Sequence, residues 1–148
     1  MQISAAALQP MIQRPVPDAA TAGGSNAPVI LVVDDDAGIR RLVAAVLRRM
    51  TLAQVIEAGD PYTALRIATT DARKIDVLIS DIGLRSAING IELAGNIAAL
   101  FPMARVLLIS ADESSGSGVR PEWRFLAKPF PVSVLMDCVT GLLPHSSA

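Results

Sequence analysis

Residues 28–50 read PVILVVDDDAGIRRLVAAVLRRM, and this stretch decides the architecture. Val29 to Val33 is an unbroken aliphatic run without polar alternation, the pattern of a strand covered on both faces. Asp34-Asp35-Asp36 ends it. Ile39, Leu42, Val43, Val46, Leu47 and Met50 then recur at helical spacing as one apolar stripe. A buried strand, an acidic turn and an amphipathic helix, in that order, begin a parallel βαβ unit.

The alternation continues outward. Gln54–Ala58 reads as a second strand, and Gly59-Asp60-Pro61 opens a helix to about Thr70, with Asp60 as N-cap and Pro61 at the first helical position. Asp76–Asp81 is a third strand ending on an acid. A loop from Gly83 to Asn89 leads to a helix over Gly90–Leu100, stopped before Pro102. Arg105–Ser110 is a fourth buried strand. Glu113 to Glu122, rich in Ser and Gly, holds at best one poor helical turn. Trp123–Ala127 is a fifth strand, and Pro131 opens a last helix carrying Val134, Leu135, Cys138, Val139 and Leu142 as its stripe. The order predicts an α/β fold, a doubly wound five-stranded parallel sheet with right-handed crossovers and a shortened fourth helix.

Composition narrows the function. The chain has 148 residues, enough for one domain, and 51% are hydrophobic, enough for a core. Thirteen basic against fourteen acidic side chains give a net charge of −1, which offers no electrostatic case for a nucleic-acid or membrane partner. A single cysteine, Cys138, excludes a disulfide framework, and the lone His145 excludes a multi-His metal site. No apolar run has the length of a membrane helix, and the N-terminus lacks a basic signal region, so the expected location is cytoplasmic. Residues 1–27, with Pro10, Pro15, Pro17 and Gly23-Gly24, read as a flexible N-terminal tail, with room for a short helix around Ile3–Leu8. The domain is expected over 28–144, with a short C-terminal tail at 145–148.

Parallel sheets of this kind place working residues at the carboxyl ends of their strands. Strand one ends in Asp34-Asp35, strand three in Asp81 and strand four in Ser110, and Lys128 follows strand five. Three carboxylates brought to one rim repel unless a cation joins them, and a ligand set of hard oxygens suits Mg²⁺ or Mn²⁺. With a lysine and a hydroxyl beside them, the rim can accept a phosphoryl group, a carboxylate serving as nucleophile. Asp36 reads as an acid favouring a helix N-terminus through its dipole, Asn89-Gly90 as a turn and cap, and Cys138 as core.

The segments VILVVDDDAGIR (29–40), VIEAGDPYTAL (55–65), DVLISDIGL (76–84), NGIEL (89–93), VLLISAD (106–112) and FLAKPF (125–130) together resemble the receiver domain of two-component response regulators, the single-domain chemotaxis regulators being the simplest kind. The resemblance implies a flavodoxin-like (βα)5 fold and a phosphorelay role. It makes Asp81 the phosphoacceptor and Asp34 and Asp35 the acidic pair. Asp35 would bind Mg²⁺ directly, Asp34 would help through water, and the Gly83 carbonyl would complete the metal site. Ser110 and Lys128 would bind the phosphoryl group, Phe125 would stand at the switch-aromatic position, and Lys128–Pro129 would be cis. The implied partners are a sensor histidine kinase or histidine phosphotransfer protein, docking against the helix of residues 37–50, and an unidentified downstream protein. The chain departs from the common pattern at Leu84-Arg85, where Met-Pro is usual. It also departs in the short Ser110–Lys128 interval and in Phe125, where Tyr is commoner. Two other functions compete. A pseudo-receiver would bind partners without phosphorylation. A haloacid-dehalogenase-like phosphatase would use Asp34-x-Asp36 as its nucleophile motif.

Overall fold

The computed structural model describes residues 26–71 and 73–144. The possible helix around Ile3–Leu8, nearly all of the tail, and His145 lie outside them. The elements are β1 (Val29–Val33), α1 (Ala37–Met50), β2 (Gln54–Ala58), α2 (Pro61–Thr70), β3 (Val77–Asp81), α3 (Gly90–Leu100), β4 (Arg105–Ser110), a 3-10 helix (Glu113–Gly118), β5 (Arg124–Ala127) and α4 (Val132–Leu142). One parallel sheet has the strand order β2-β1-β3-β4-β5.

The sheet divides the interior into two cores, and the two-residue period of the strands assigns side chains to each. Leu31, Val33, Leu78, Val106 and Leu108 face one core with Ala64, Leu93 and Ile97 of α2 and α3. Ile30, Val32, Ile79, Leu107 and Ile109 face the other with Val43, Leu47, Leu135 and Val139 of α1 and α4. All of β1 is buried for this reason, and its sequence shows no polar alternation. The apolar stripes are narrower than their periodicity predicts: Leu42 and Met50 on α1 remain 57% and 62% exposed, and Val134 on α4 is also exposed.

Local signals set the helix starts. Asp36 and Asp60 each accept a backbone N–H three residues on, from Ile39 at 3.1 Å and Thr63 at 2.8 Å. Asn89 and Glu92 form a reciprocal capping box, each side chain accepting the other's backbone N–H at 2.9 Å. Pro131 is the cap of α4 rather than its first residue. β3 starts one residue later than its pattern predicts; Asp76, just before it, accepts the Val29 N–H on its carboxylate at 2.8 Å.

A six-residue 3-10 helix occupies the place of a full fourth helix. Serine and glycine disfavour a longer α-helix there, and Asp112 caps the turn by accepting the Ser114 N–H at 3.0 Å. Trp123 lies just before β5 rather than inside it, 9% exposed, joining the core under α2 and α3, with Val119 and Phe125 packed against it. Arg120 covers its ring, 4.5 Å from the guanidinium carbon to the centroid. The indole thus supplies apolar cover that a longer helix would otherwise provide. Trp123→Ala is expected to cost about 3–5 kcal/mol in urea unfolding; a loss under about 1 kcal/mol would show that the ring carries little of the core.

Candidate functional site

Strand register assembles the site. Val33 pairs with Ser80 across β1 and β3, so the next residues, Asp34 and Asp81, emerge side by side where the strand order reverses. Ser110 pairs with Ala127 across β4 and β5, so Lys128 leaves the sheet beside Ser110, and its N–H donates to the Ser110 carbonyl at 2.8 Å. Lys128–Pro129 is cis. Asp34, Asp35 and Asp81 each offer a carboxylate oxygen within 4.8 Å of the others. Lys128 Nζ lies 3.3 Å from Asp34 Oδ2 and 3.6 Å from Asp81 Oδ1. With Gly83, Arg85, Ser110 and Asp112 these residues line an open cleft of about 430 Å³.

The electrostatics favour a cation. Burial raises the Asp81 carboxyl above its ordinary range; Lys128 opposes that shift, Asp34 and Asp35 reinforce it, and a hydrogen bond from the Gly83 N–H opposes it. Asp34 is only 5% exposed, with the Asp36 N–H on Oδ1 at 2.9 Å and Lys128 on Oδ2. Lys128 and Arg85 leave the three acids undercompensated, and their donors are all hard oxygens at a partly open rim. That set fits Mg²⁺ or Mn²⁺.

Other expected residues take distinct places. Asp36 is exposed and occupied in capping α1, outside the carboxylate cluster. Ser110 is 5% exposed, and its Oγ accepts the Asp112 N–H at 3.0 Å, so the hydroxyl sits at the cleft but is engaged by its own turn. Phe125 does not line the cleft; its ring packs beneath the 3-10 helix, where a Cβ on Gly116 would stand 3.3 Å from it.

Four residues gained roles that the sequence reading missed. Arg40 donates from Nη1 to the Asp34 carbonyl at 2.9 Å and from Nε to Glu57 at 3.3 Å. Arg48 reaches the same Glu57 at 3.1 Å, so a network from β2 and α1 braces the acidic turn. Gly90 abuts the end of β3: a Cβ there would overlap the Asp81 carbonyl oxygen, while its N–H donates to Ile82 at 2.8 Å. Arg85 Nε sits 3.2 Å from Asp35 Oδ2. The helical position of Arg40 and the Asn-Gly pair were visible signals, but each has commoner uses on a helix face or in a turn.

Arg40→Ala should lower stability by about 1–3 kcal/mol, because a charged donor leaves the Asp34 carbonyl. It should also move the amide resonances of residues 34–36; unchanged stability and unchanged resonances would show that Arg40 does not brace the turn. Asp81→Asn should raise the melting temperature at neutral pH. A carboxyl whose native pKa is raised gives stability that is present below the ordinary aspartate range and lost as pH rises through the native value. The amide escapes that loss, so thermal melts of the two proteins should converge in acid and separate above it. A wild type more stable than Asp81→Asn at neutral pH would contradict the burial assigned to Asp81.

Residues 30–140 match the response regulator receiver domain family. The DNA-binding transcriptional regulator NtrC of Azospirillum brasilense is 29% identical over 122 residues; the match spans 80% of this chain and only 24% of that protein. Among solved structures, the receiver domain of the hybrid histidine kinase CckA is 33% identical with a TM-score of 0.66, matching 78% of this chain and 99% of that one. A response regulator receiver protein from Sinorhizobium medicae WSM419 shares the fold at TM-score 0.72 and 24% identity, over 80% of this chain and 95% of its own. A family match over most of the chain, on a fold shared with solved receiver domains, shows that this protein belongs to the response regulator receiver domain family of two-component signalling.

Proposed function

We propose that this receiver takes a phosphoryl group from a histidine kinase or histidine phosphotransfer protein onto Asp81, in a Mg²⁺-dependent phosphorelay. One observation carries the reading: Lys128 Nζ stands between Asp34 and Asp81, at 3.3 Å and 3.6 Å, within a cluster of three carboxylates. Asp34, Asp35, Asp81 and the Gly83 carbonyl are the residues that would hold the ion. When bound, Mg²⁺ supplies positive charge that offsets the charge on the transferring oxygens.

The chain's own residues do the rest. An Asp81 oxygen attacks phosphorus, the P–N bond to the donor imidazole breaks, and its electron pair returns to the ring. Lys128 exchanges its contact with the Asp81 carboxylate for one with a phosphoryl oxygen. Ser110 donates its hydroxyl proton to another phosphoryl oxygen. That shift, with the Asp112 N–H still on its oxygen, would reshape the turn leading into the 3-10 helix, beneath which Phe125 packs. Phe125 has no hydroxyl, so its part in such a switch is by ring packing alone. Phosphorylation acts by shifting populations between two arrangements, and inverting a 1:99 balance needs about 5.5 kcal/mol of preference.

The donor docks over the rim against α1, where Leu42 presents apolar surface at 57% exposure. The receiver unit is proposed over 28–144, acting in the cytoplasm and read by a downstream protein. Among the described residues no helix is long and apolar enough to cross a membrane. The phosphatase alternative, which needs Asp34-x-Asp36 as a pair, gains no support from an Asp36 engaged in capping α1.

Incubation with a phosphorylated histidine kinase and Mg²⁺ should give an acid-labile phosphoryl label that is lost on chelation and absent from Asp81→Asn. Label persisting undiminished in Asp81→Asn would reject Asp81 as the acceptor. Partner binding unchanged by Mg²⁺ and phosphodonor, with no label at all, would favour the pseudo-receiver.

A further inference from the structure

Arg85 departs from its surroundings in backbone and in charge. Its φ is +50°, the one positive value at a non-glycine among the described residues, in a region that side-chain-bearing residues seldom adopt. The turn is held from both sides. Leu84, just before it, is 2% exposed in the core under α2 and α3. Downstream, Gly90 is seated against the Asp81 carbonyl and bonded to Ile82. Between these anchors the chain doubles back over the rim, and Arg85 Nε comes to 3.2 Å from Asp35 Oδ2. Arg85 lines the same cleft as Asp81 and Lys128.

The consequence is a change in the charge an incoming ion meets. Three carboxylates against Lys128 alone would leave the cluster at minus two; with Arg85 it stands at minus one. We propose that Arg85 is a tethered cation that competes with the divalent ion for Asp35, so that this receiver's own loop lowers its metal affinity. The proposal rests on the metal-site reading above. An ion entering the cluster must displace the guanidinium from Asp35 or share the carboxylate with it. Either way it meets one more positive charge at close range. Arg85 is 85% exposed, so the competition is screened by water and salt, and its expected size is about 3- to 5-fold in affinity. High exposure also makes substitutions there compatible with folding.

The test is a Mg²⁺ titration of the full chain, following the amide shifts of Asp35 and Gly83, for wild type, Arg85→Gln and Arg85→Lys. Glutamine and lysine both keep a Cβ at the positive φ, so the backbone demand is the same and only charge differs between them. At low ionic strength Arg85→Gln should bind Mg²⁺ about 3- to 5-fold more tightly than wild type, with Arg85→Lys close to wild type; in about 0.5 M salt the difference should close. Equal or weaker binding by Arg85→Gln would overturn the proposal, as would Arg85→Lys matching Arg85→Gln or a gap that salt does not narrow. In each of those cases wild type still binds the ion, and the metal-site reading stands. Absence of saturable Mg²⁺ binding in all three proteins would instead overturn that reading, and this proposal with it.

Discussion

Like charges held together at the end of a sheet are the constraint around which the rest is arranged. β1 and β3 run parallel with Val33 opposite Ser80, so Asp34 and Asp81 have no choice but to leave the sheet as neighbours, and Asp35 follows within 4.8 Å. Their repulsion and partial burial raise the Asp81 carboxyl, and Lys128 offsets only part of it. The cluster therefore works against the stability of the domain by itself. The same unrelieved charge makes the rim receptive to a hard divalent ion.

Such a site needs a rigid base, and the two cores provide it. β1, β3 and β4 send alternate side chains into each core, so no rotation of one strand is possible without disturbing both. Around the rim a set of polar contacts holds the acids in place. Arg40 grips the Asp34 carbonyl and is tied to Glu57, and Gly90 lets α3 close against the Asp81 backbone. The mobile parts of the chemistry are then side chains: the Lys128 ammonium, the Ser110 hydroxyl and the Arg85 guanidinium.

The surface over β4 and β5 is built differently from the rest. A short 3-10 helix replaces a long α-helix, and Trp123, Val119 and Phe125 close the core there. Phe125 is tied to that cover through Gly116 rather than exposed in the cleft. A signal leaving the acidic rim through the Ser110–Asp112 turn would thus meet a compact loop and an indole before reaching solvent. This gives the face a shape unlike one framed by a regular helix.

Much of the fold was legible because the strands carry no ambiguity. Val29–Val33 and Val106–Ile109 are uninterrupted aliphatic runs, each followed by polar residues, and a strand buried on both faces needs that composition. Asp60 and Asn89 announced helix starts because capping is a contact between near neighbours. The types and order of the rim residues were equally local. What the sequence could not show was which of them touch. The pairing of Lys128 with Asp34 spans 94 positions, and the hold of Arg40 on Asp34 depends on a helix facing its own strand. Leu42 and Met50 counted as core by spacing, yet α1 lies on the sheet with that edge turned to water. The guanidinium of Arg85 on Asp35 required a left-handed turn pinned by Leu84 and Gly90. Chain chemistry determined which elements form and which polar groups end the strands, since both follow from side chains close in sequence. Only the tertiary structure decided how those groups share charge, because Coulomb interactions depend on distances set by strand register and loop closure.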